Sequence, residues 1–455
     1  MSNFVYNAVD YGVVGDGETN NTKAILKLID IVADAGGGTI AFPAGKYVTG
    51  SIILKSNMRL YLDAGCVILG SADPADYPLL TEEVIEGYTR GGHAGLVAAI
   101  NEENVTIDGR GTIDGRGYNW WDHPENQHRP RAIQPIFCKN VRIAGITILN
   151  SAMWTVHPMC CQNVTIDGIS IKNPWDSPNT DGINPESCRE VHISNCTVDV
   201  GDDCLAIKSG LEDDLLQKQY VCENITVTNC TMINGHGGVV LGSEMSGGIR
   251  NVTISNCVFN GTDRGIRIKT RRKRGGTVEN VFISNIIMDN IFAPITVNGF
   301  YKCGGYPEDE YDALFGLDKK PVTEDTPVIR NLVITNVCAS NVTASAGYLY
   351  GLPESPVDGF HLTGYHVTMV DTDEEIREKP IMAFHVKKVK GEGIYCNNVV
   401  NSTFTDVTVS VINGDGAVIE NCENIIISGL AATGTDTPCR VLDSKKVSVN
   451  GEEIA

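Results

Sequence analysis

Nowhere does this chain offer the ~20 consecutive apolar residues that a membrane-spanning helix needs, so no membrane partner is expected. Its opening residues, MSNFVYNAVDYGVVGDG, lack the basic stretch followed by an apolar one that marks a secretory leader. Positive charge is also short: 36 Lys and Arg face 56 Asp and Glu, for a net charge of −20. That balance argues against nucleic acid as a partner, and it leaves room for a polyanion only where basic residues cluster. Cysteine is not scarce, but the 15 present are an odd number, and none of their spacings resembles a zinc ribbon or a CxxC site. Neither metal nor cofactor is therefore expected. Several cysteines recur in one context, as Asn195-Cys196, Asn229-Cys230, Asn256-Cys257 and Asn421-Cys422. This predicts buried free thiols on successive coils and, with the missing leader, a cytoplasmic protein. The cluster from Gly12 to Gly17 lacks the Lys-Ser/Thr that would complete a phosphate cradle.

What the chain does have is a repeat. Asn104-Val-Thr-Ile, Asn140-Val-Arg-Ile, Asn163-Val-Thr-Ile, Glu190-Val-His-Ile, Asn224-Ile-Thr-Val, Asn251-Val-Thr-Ile, Asn280-Val-Phe-Ile, Asn331-Leu-Val-Ile and Asn424-Ile-Ile-Ile vary one unit, mostly at steps of 23 to 36 residues. Short alternating strands at that period predict a solenoid in which each unit buries its apolar face against its neighbours. With so much strand and so many turns, the reading is all-β, a parallel β-helix forming a single domain over 1–455. Residues 22–35 put Ile25, Leu28, Ile29 and Val32 at helical spacing, and Gly36-Gly37-Gly38 stops the run. We read them as a helix capping the open N-terminal end, where an uncovered edge would invite self-association. Segments 71–95, 116–132 and 302–327 do not fit the repeat and read as inserted, functional loops, and subunit contacts at these loops, giving a homo-oligomer, are the alternative use.

Counting from each repeat strand aligns the polar outliers. Asp181 lies 17 residues after Val164, Asp203 lies 12 after Val191, His236 lies 11 after Ile225, and Arg267 lies 15 after Val252. Successive coils stack about 4.8 Å apart, so this shared phase predicts a column of Asp181, then Asp202 and Asp203, then His236, then Arg267 and Lys269. Three carboxylates on one face cannot all ionise comfortably, so one of them is expected to hold its proton, as an acid/base site requires. A carboxyl pair flanking a scissile bond is the equipment of glycoside hydrolysis. Each of these residues alone would be an ordinary turn or capping residue. Their common phase is what makes them a candidate site.

The same residues carry a resemblance. Asn179-Thr-Asp181, Gly201-Asp202-Asp203-Cys204, Gly235-His236-Gly237 and Arg267-Ile-Lys269 resemble, in order and spacing, the four motifs of the polygalacturonase family of glycoside hydrolases. The resemblance implies a right-handed parallel β-helix and hydrolysis of α-1,4-galacturonosyl bonds with inversion. Asp202 would be the general acid, Asp181 and Asp203 would activate the water, and His236 would support the acid's protonation. Asn179 belongs to the first motif, and Arg267 and Lys269 would bind the galacturonate carboxylate. Trp154 and His157, one coil earlier, are candidates for a sugar subsite. Glu244 and the basic run Arg271 to Arg274 resemble elements of the exo-acting branch, with Arg271 and Arg274 as further carboxylate binders. The implied partner is an oligogalacturonide or related pectic oligosaccharide, cut one galacturonate at a time from the non-reducing end. A rhamnogalacturonan hydrolase, a calcium-dependent pectate lyase and a non-catalytic glycan-binding β-helix are the alternatives.

Overall fold

The structure is a computed structural model that describes all residues except 1–3, 89–90, 123–127, 304–306 and 373–378. Parts of all three inserted loops thus lie outside the described residues. The chain divides into two compact units. One comprises Met1–Ala206 with Asp214–Cys230, the other Ile207–Asp213 with Thr231–Ala455.

The first unit is a stack of parallel strands whose register is the repeat itself. Val105 pairs with Val141, Val141 with Val164, Val164 with Val191, and Val191 with Ile225. The following aliphatic column, Ile107, Ile143, Ile166, Ile193 and Val227, is likewise in register and buried. The capping helix spans Thr22–Asp34, buries the four predicted apolar residues, and lies against strands Gly38–Phe42 and Ile52–Leu54. The second unit repeats the scheme. Val252 pairs with Val281, Val281 with Leu332, and Leu332 with Phe360. This is the coil architecture of a parallel β-helix.

The leading Asn of the repeat has a physical reason. Asn104, Asn140 and Asn163 have φ of 58°, 56° and 57°, the left-handed region where Asn is among the better tolerated non-glycine residues. Their amides form a ladder, from Asn140 Nδ2 to Asn104 Oδ1 at 3.0 Å and from Asn163 Nδ2 to Asn140 Oδ1 at 2.9 Å. In the second unit Asn280 donates to Asn251 and Asn331 to Asn280 in the same way. All fifteen cysteines are free thiols. Those of the Asn-Cys pairs are buried, and each donates to the carbonyl two residues back, as Cys196 does to Ser194 at 3.1 Å. A second thiol stack was not legible beforehand: the Cys138 backbone N–H donates to the Cys161 sulfur, and that of Cys161 to the Cys188 sulfur.

Candidate active site

In the first unit, two neighbouring turns are tied together by backbone hydrogen bonds. Gly182 N–H donates to Asp203 O at 3.0 Å and Ile183 N–H to Cys204 O at 3.1 Å. Asp181 is thereby held beside Asp202 and Asp203, as the shared phase predicted. Each of the three offers a carboxylate oxygen within 4.8 Å of the others. Asp181 and Asp203 are only 3% and 1% exposed, whereas Asp202 is partly open to solvent.

Glycine makes the close approach possible at two points. A Cβ on Gly182 would come within 2.3 Å of Val198 Cγ1 and 2.4 Å of Cys204 O, and one on Gly201 within 2.6 Å of Pro174 O. The carboxyls are also positioned by their neighbours. Asn184 Nδ2 donates to Asp181 Oδ2 at 2.9 Å, and the Asp203 N–H donates to Asp202 Oδ1 at 2.9 Å. Asn179 sits at φ 56° and accepts from Arg129 Nη2 at 2.7 Å, while the other guanidinium arm holds the Ala152 and Pro178 carbonyls. Arg129 was not singled out from the sequence, and its only signal there was a place in the inserted loop 116–132.

Trp154 and His157 do not behave as surface sugar binders. His157 has no exposed surface, and its Nε2 lies 2.8 Å from Glu186 Oε2, itself fully buried. Trp154 is 7% exposed, edge-on to the His157 ring at 4.9 Å and beneath the Arg131 guanidinium. Both belong to the packing under the neighbouring turn. A buried imidazole–carboxylate pair fixes that turn's shape, but it cannot reach a sugar.

In the second unit, His236 is exposed in the bend before strand Val239–Gly242. That strand pairs with Arg264–Lys269, matching Val240 to Arg267 and Gly242 to Lys269. Arg267 and Lys269 are buried, at 5% and 6% exposure, and share the face of Tyr301, with ring distances of 5.7 and 5.1 Å. Arg267 Nη1 reaches the His236 carbonyl at 3.5 Å, so the imidazole's bend and the cation are coupled. Two adjacent cations lodged on an aromatic ring can hold a carboxylate. Tyr301 was missed by the sequence reading, although it directly precedes the inserted segment 302–327.

The basic run needs a correction. Arg271 Nη2 and Arg274 Nη1 both donate to Glu212. Burial would raise the Glu212 carboxyl, but Arg274 and Arg271 outweigh it and hold it below the usual carboxylate range. Arg272 binds Glu354 at 2.5 and 3.0 Å and also the Gly316 and Asp318 carbonyls, and Lys273 pairs with Glu310. Apart from Lys273 the run is buried and spent on internal partners, so it is a buttress and not an open source of cations. Glu244 is likewise engaged, accepting from Lys208 Nζ at 3.0 Å. Such buried partners lie far away in sequence, where no local pattern points to them.

Stacked β coils, with a carboxyl triad in one unit and a histidine and a cation pair in the other, are equipment suited to a glycoside hydrolase acting on acidic polysaccharide. The model described as Glycosyl hydrolases family 28 matches residues 87–382, well over half of the chain, and the chain belongs to that family. It is 35% identical over 364 residues to a probable polygalacturonase of Vitis vinifera, covering 77% of this chain and 72% of that one. It is 29% identical to an endo-polygalacturonase of Pectobacterium carotovorum, over 64% of this chain and 73% of the relative. Among solved structures, a hyperthermoactive exopolygalacturonase from Thermotoga maritima superposes with a TM-score of 0.65 at 26% identity, covering 100% of this chain and 93% of that one. The protein is thus a polygalacturonase-type hydrolase of pectic galacturonan.

Proposed function

We propose that the enzyme is exo-acting on short oligogalacturonides and releases galacturonate from the non-reducing end. The observation that carries the catalytic part is the convergence of Asp181, Asp202 and Asp203 within 4.8 Å on two hydrogen-bonded turns. In this reading Asp202, the most exposed of the three, protonates the leaving oxygen. Asp181 and Asp203 share and orient the attacking water. Arg267 and Lys269 take a sugar carboxylate, and His236 supports the acid's protonation. Inversion is supported by the resemblance to the family motifs and not by the carboxyl spacing. Acid and base in inverting enzymes generally stand ~6.5–9.5 Å apart, a rule drawn for two groups on opposite faces of the sugar, whereas here two carboxyls serve one water. Proton NMR of the first-formed anomer tests this: an α-linked substrate should yield the β-anomer, and initial α-product would overturn it.

Exo action is supported by the inserted segments and by the name of the Thermotoga relative, against which stands the endo-acting name of the Pectobacterium one. The deciding measurement is the early product distribution from hexagalacturonate. Monomer plus pentamer is expected, whereas a spread of dimer, trimer and tetramer would mean an open groove. We further propose a reducing, cytoplasmic setting in which imported oligosaccharides are consumed. The fifteen free thiols support it, and native protein recovered from culture supernatant with disulfides would contradict it.

A further inference from the structure

We infer that residues Lys379–Val386 form the wall that ends the substrate groove just past the cation pair, with Met382 and Ile381 as chain-length-determining residues. The inference rests on the reading that Arg267 and Lys269 hold a substrate carboxylate. By strand register, the row carrying these cations continues from Arg267 to Thr296 to Tyr348, and from Lys269 to Asn298 to Tyr350. Thr296 and Asn298 alternate with the core residues Ile295 and Val297, so they point away from the core. An outward polar row on a β-sheet is normally wet. Here Thr296, Asn298 and Tyr350 are 1%, 3% and 9% exposed, and another stretch of the chain lies on Asn298 and Tyr350.

That stretch is the described part of the long connection after strand Val357–Met369. The Met382 carbonyl accepts from Asn298 Nδ2 at 3.1 Å and from the Lys302 N–H at 2.9 Å, and the Met382 sulfur lies 3.1 Å from Arg267 Nη2. A sugar bound at Arg267 therefore meets the Met382 side chain as its next neighbour along the sheet. Ile381, Ala383 and Val386 pack with Phe300, Tyr350 and Leu352 in one buried cluster. Arg264, 1% exposed, ties the Lys379 and Pro380 carbonyls at 2.8 and 3.2 Å. From the far side, Phe384 packs on Tyr311 and Phe315 at 4.1 and 5.0 Å, and His385 bonds the Phe315 carbonyl. Tyr311 and Phe315 thus act as the brace, and 379–386 as the wall. Hydrogen bonds and apolar contacts on three sides make it a fixed stop.

The test compares early products from hexagalacturonate for the wild type, for the double variant Ile381→Gly/Met382→Gly, and for Phe384→Ala, which loosens the brace without touching the groove. Wild type should give monomer plus pentamer. Opening the wall should raise internal cleavage relative to terminal cleavage by about tenfold or more, the scale of discrimination a small steric block provides. If folded variants, judged by their thermal melts, keep the monomer-plus-pentamer pattern, the wall is overturned while exo action stands. If the wild type itself produces dimer and trimer from the outset, the groove is open past Met382, and wall and exo reading fall together. Arg267→Ala tests the footing separately: unchanged KM for digalacturonate would remove the reading on which the wall depends.

Discussion

Asp181, Asp202 and Asp203 differ in exposure. Asn184 holds the Asp181 carboxyl and backbone hydrogen bonds tie the turn of Asp203 to that of Asp181, while Asp202 is partly open to solvent. Replacing any one of them by Asn keeps the shape and removes the proton chemistry. Each variant should lose roughly 10²–10⁴-fold in kcat with KM nearly unchanged, measured as reducing-end release from trigalacturonate. Near-wild-type turnover in two of the three would refute the triad. Glycine supplies a second residue-scale test. Gly182→Ala places a methyl against Val198 and the Cys204 carbonyl, an overpacking that should cost about 1–3 kcal/mol. Urea denaturation would read this as a lowered midpoint at unchanged slope.

At the scale of elements, the stack is held by in-register aliphatic columns and the insertions by buried ion pairs. Arg272 with Glu354 is a case in which both side chains are buried, at 7% and 1% exposure, the Arg also holding the Gly316 and Asp318 carbonyls. Breaking it from one side should be severe: Arg272→Met leaves a buried carboxylate and should cost about 3–5 kcal/mol. Arg272→Met/Glu354→Leu should recover most of that loss in a thermal melt. The pair also makes stability depend on pH. Burial would raise the Glu354 carboxyl, but the Arg272 hydrogen bonds prevail and hold it below its ordinary value. A depressed folded-state pKa means the contribution is full above the unfolded value of about 4.3 and fades as pH falls through the lower folded one. Wild type should therefore lose Tm between pH 5 and pH 3 by more than the double variant does, and equal losses would count against the pair.

For the whole molecule, the thiols give a direct test of the architecture. Burial pushes the Cys222 and Cys66 thiols up to about 12, and Cys422 up to about 11. Such groups are almost wholly protonated at neutral pH and closed to reagents. Only Cys303 and Cys338 are exposed. A thiol-reactive dye should label about two cysteines quickly in the native protein and all fifteen after denaturation. Fast native labelling of most thiols would contradict a stack with the Asn-Cys residues turned inward.

What the sequence determined on its own is what repeats or what is local. A left-handed Asn followed by alternating aliphatics has one economical use, stacking with copies of itself, so the coil register could be counted from Val164 or Val191 alone. The capping helix was legible in the spacing of Ile25, Leu28, Ile29 and Val32. The triad was legible because Asp181 and Asp203 lie at one phase of adjacent coils, where backbone hydrogen bonding leaves little freedom. Tertiary structure decided whatever depends on a partner remote in the chain. Arg271 to Arg274 read as an open cationic patch because Glu212 and Glu354, which neutralise much of it, lie about 60 and 80 residues away. His157 read as a ligand group because nothing local announces Glu186 beneath it. Met382 had no signal beyond the long gap between the repeats at Asn331 and Asn424. A charge or a thioether carries the same letter whether it faces solvent or a buried partner. Which it faces is set by desolvation and packing among residues that only the fold brings together.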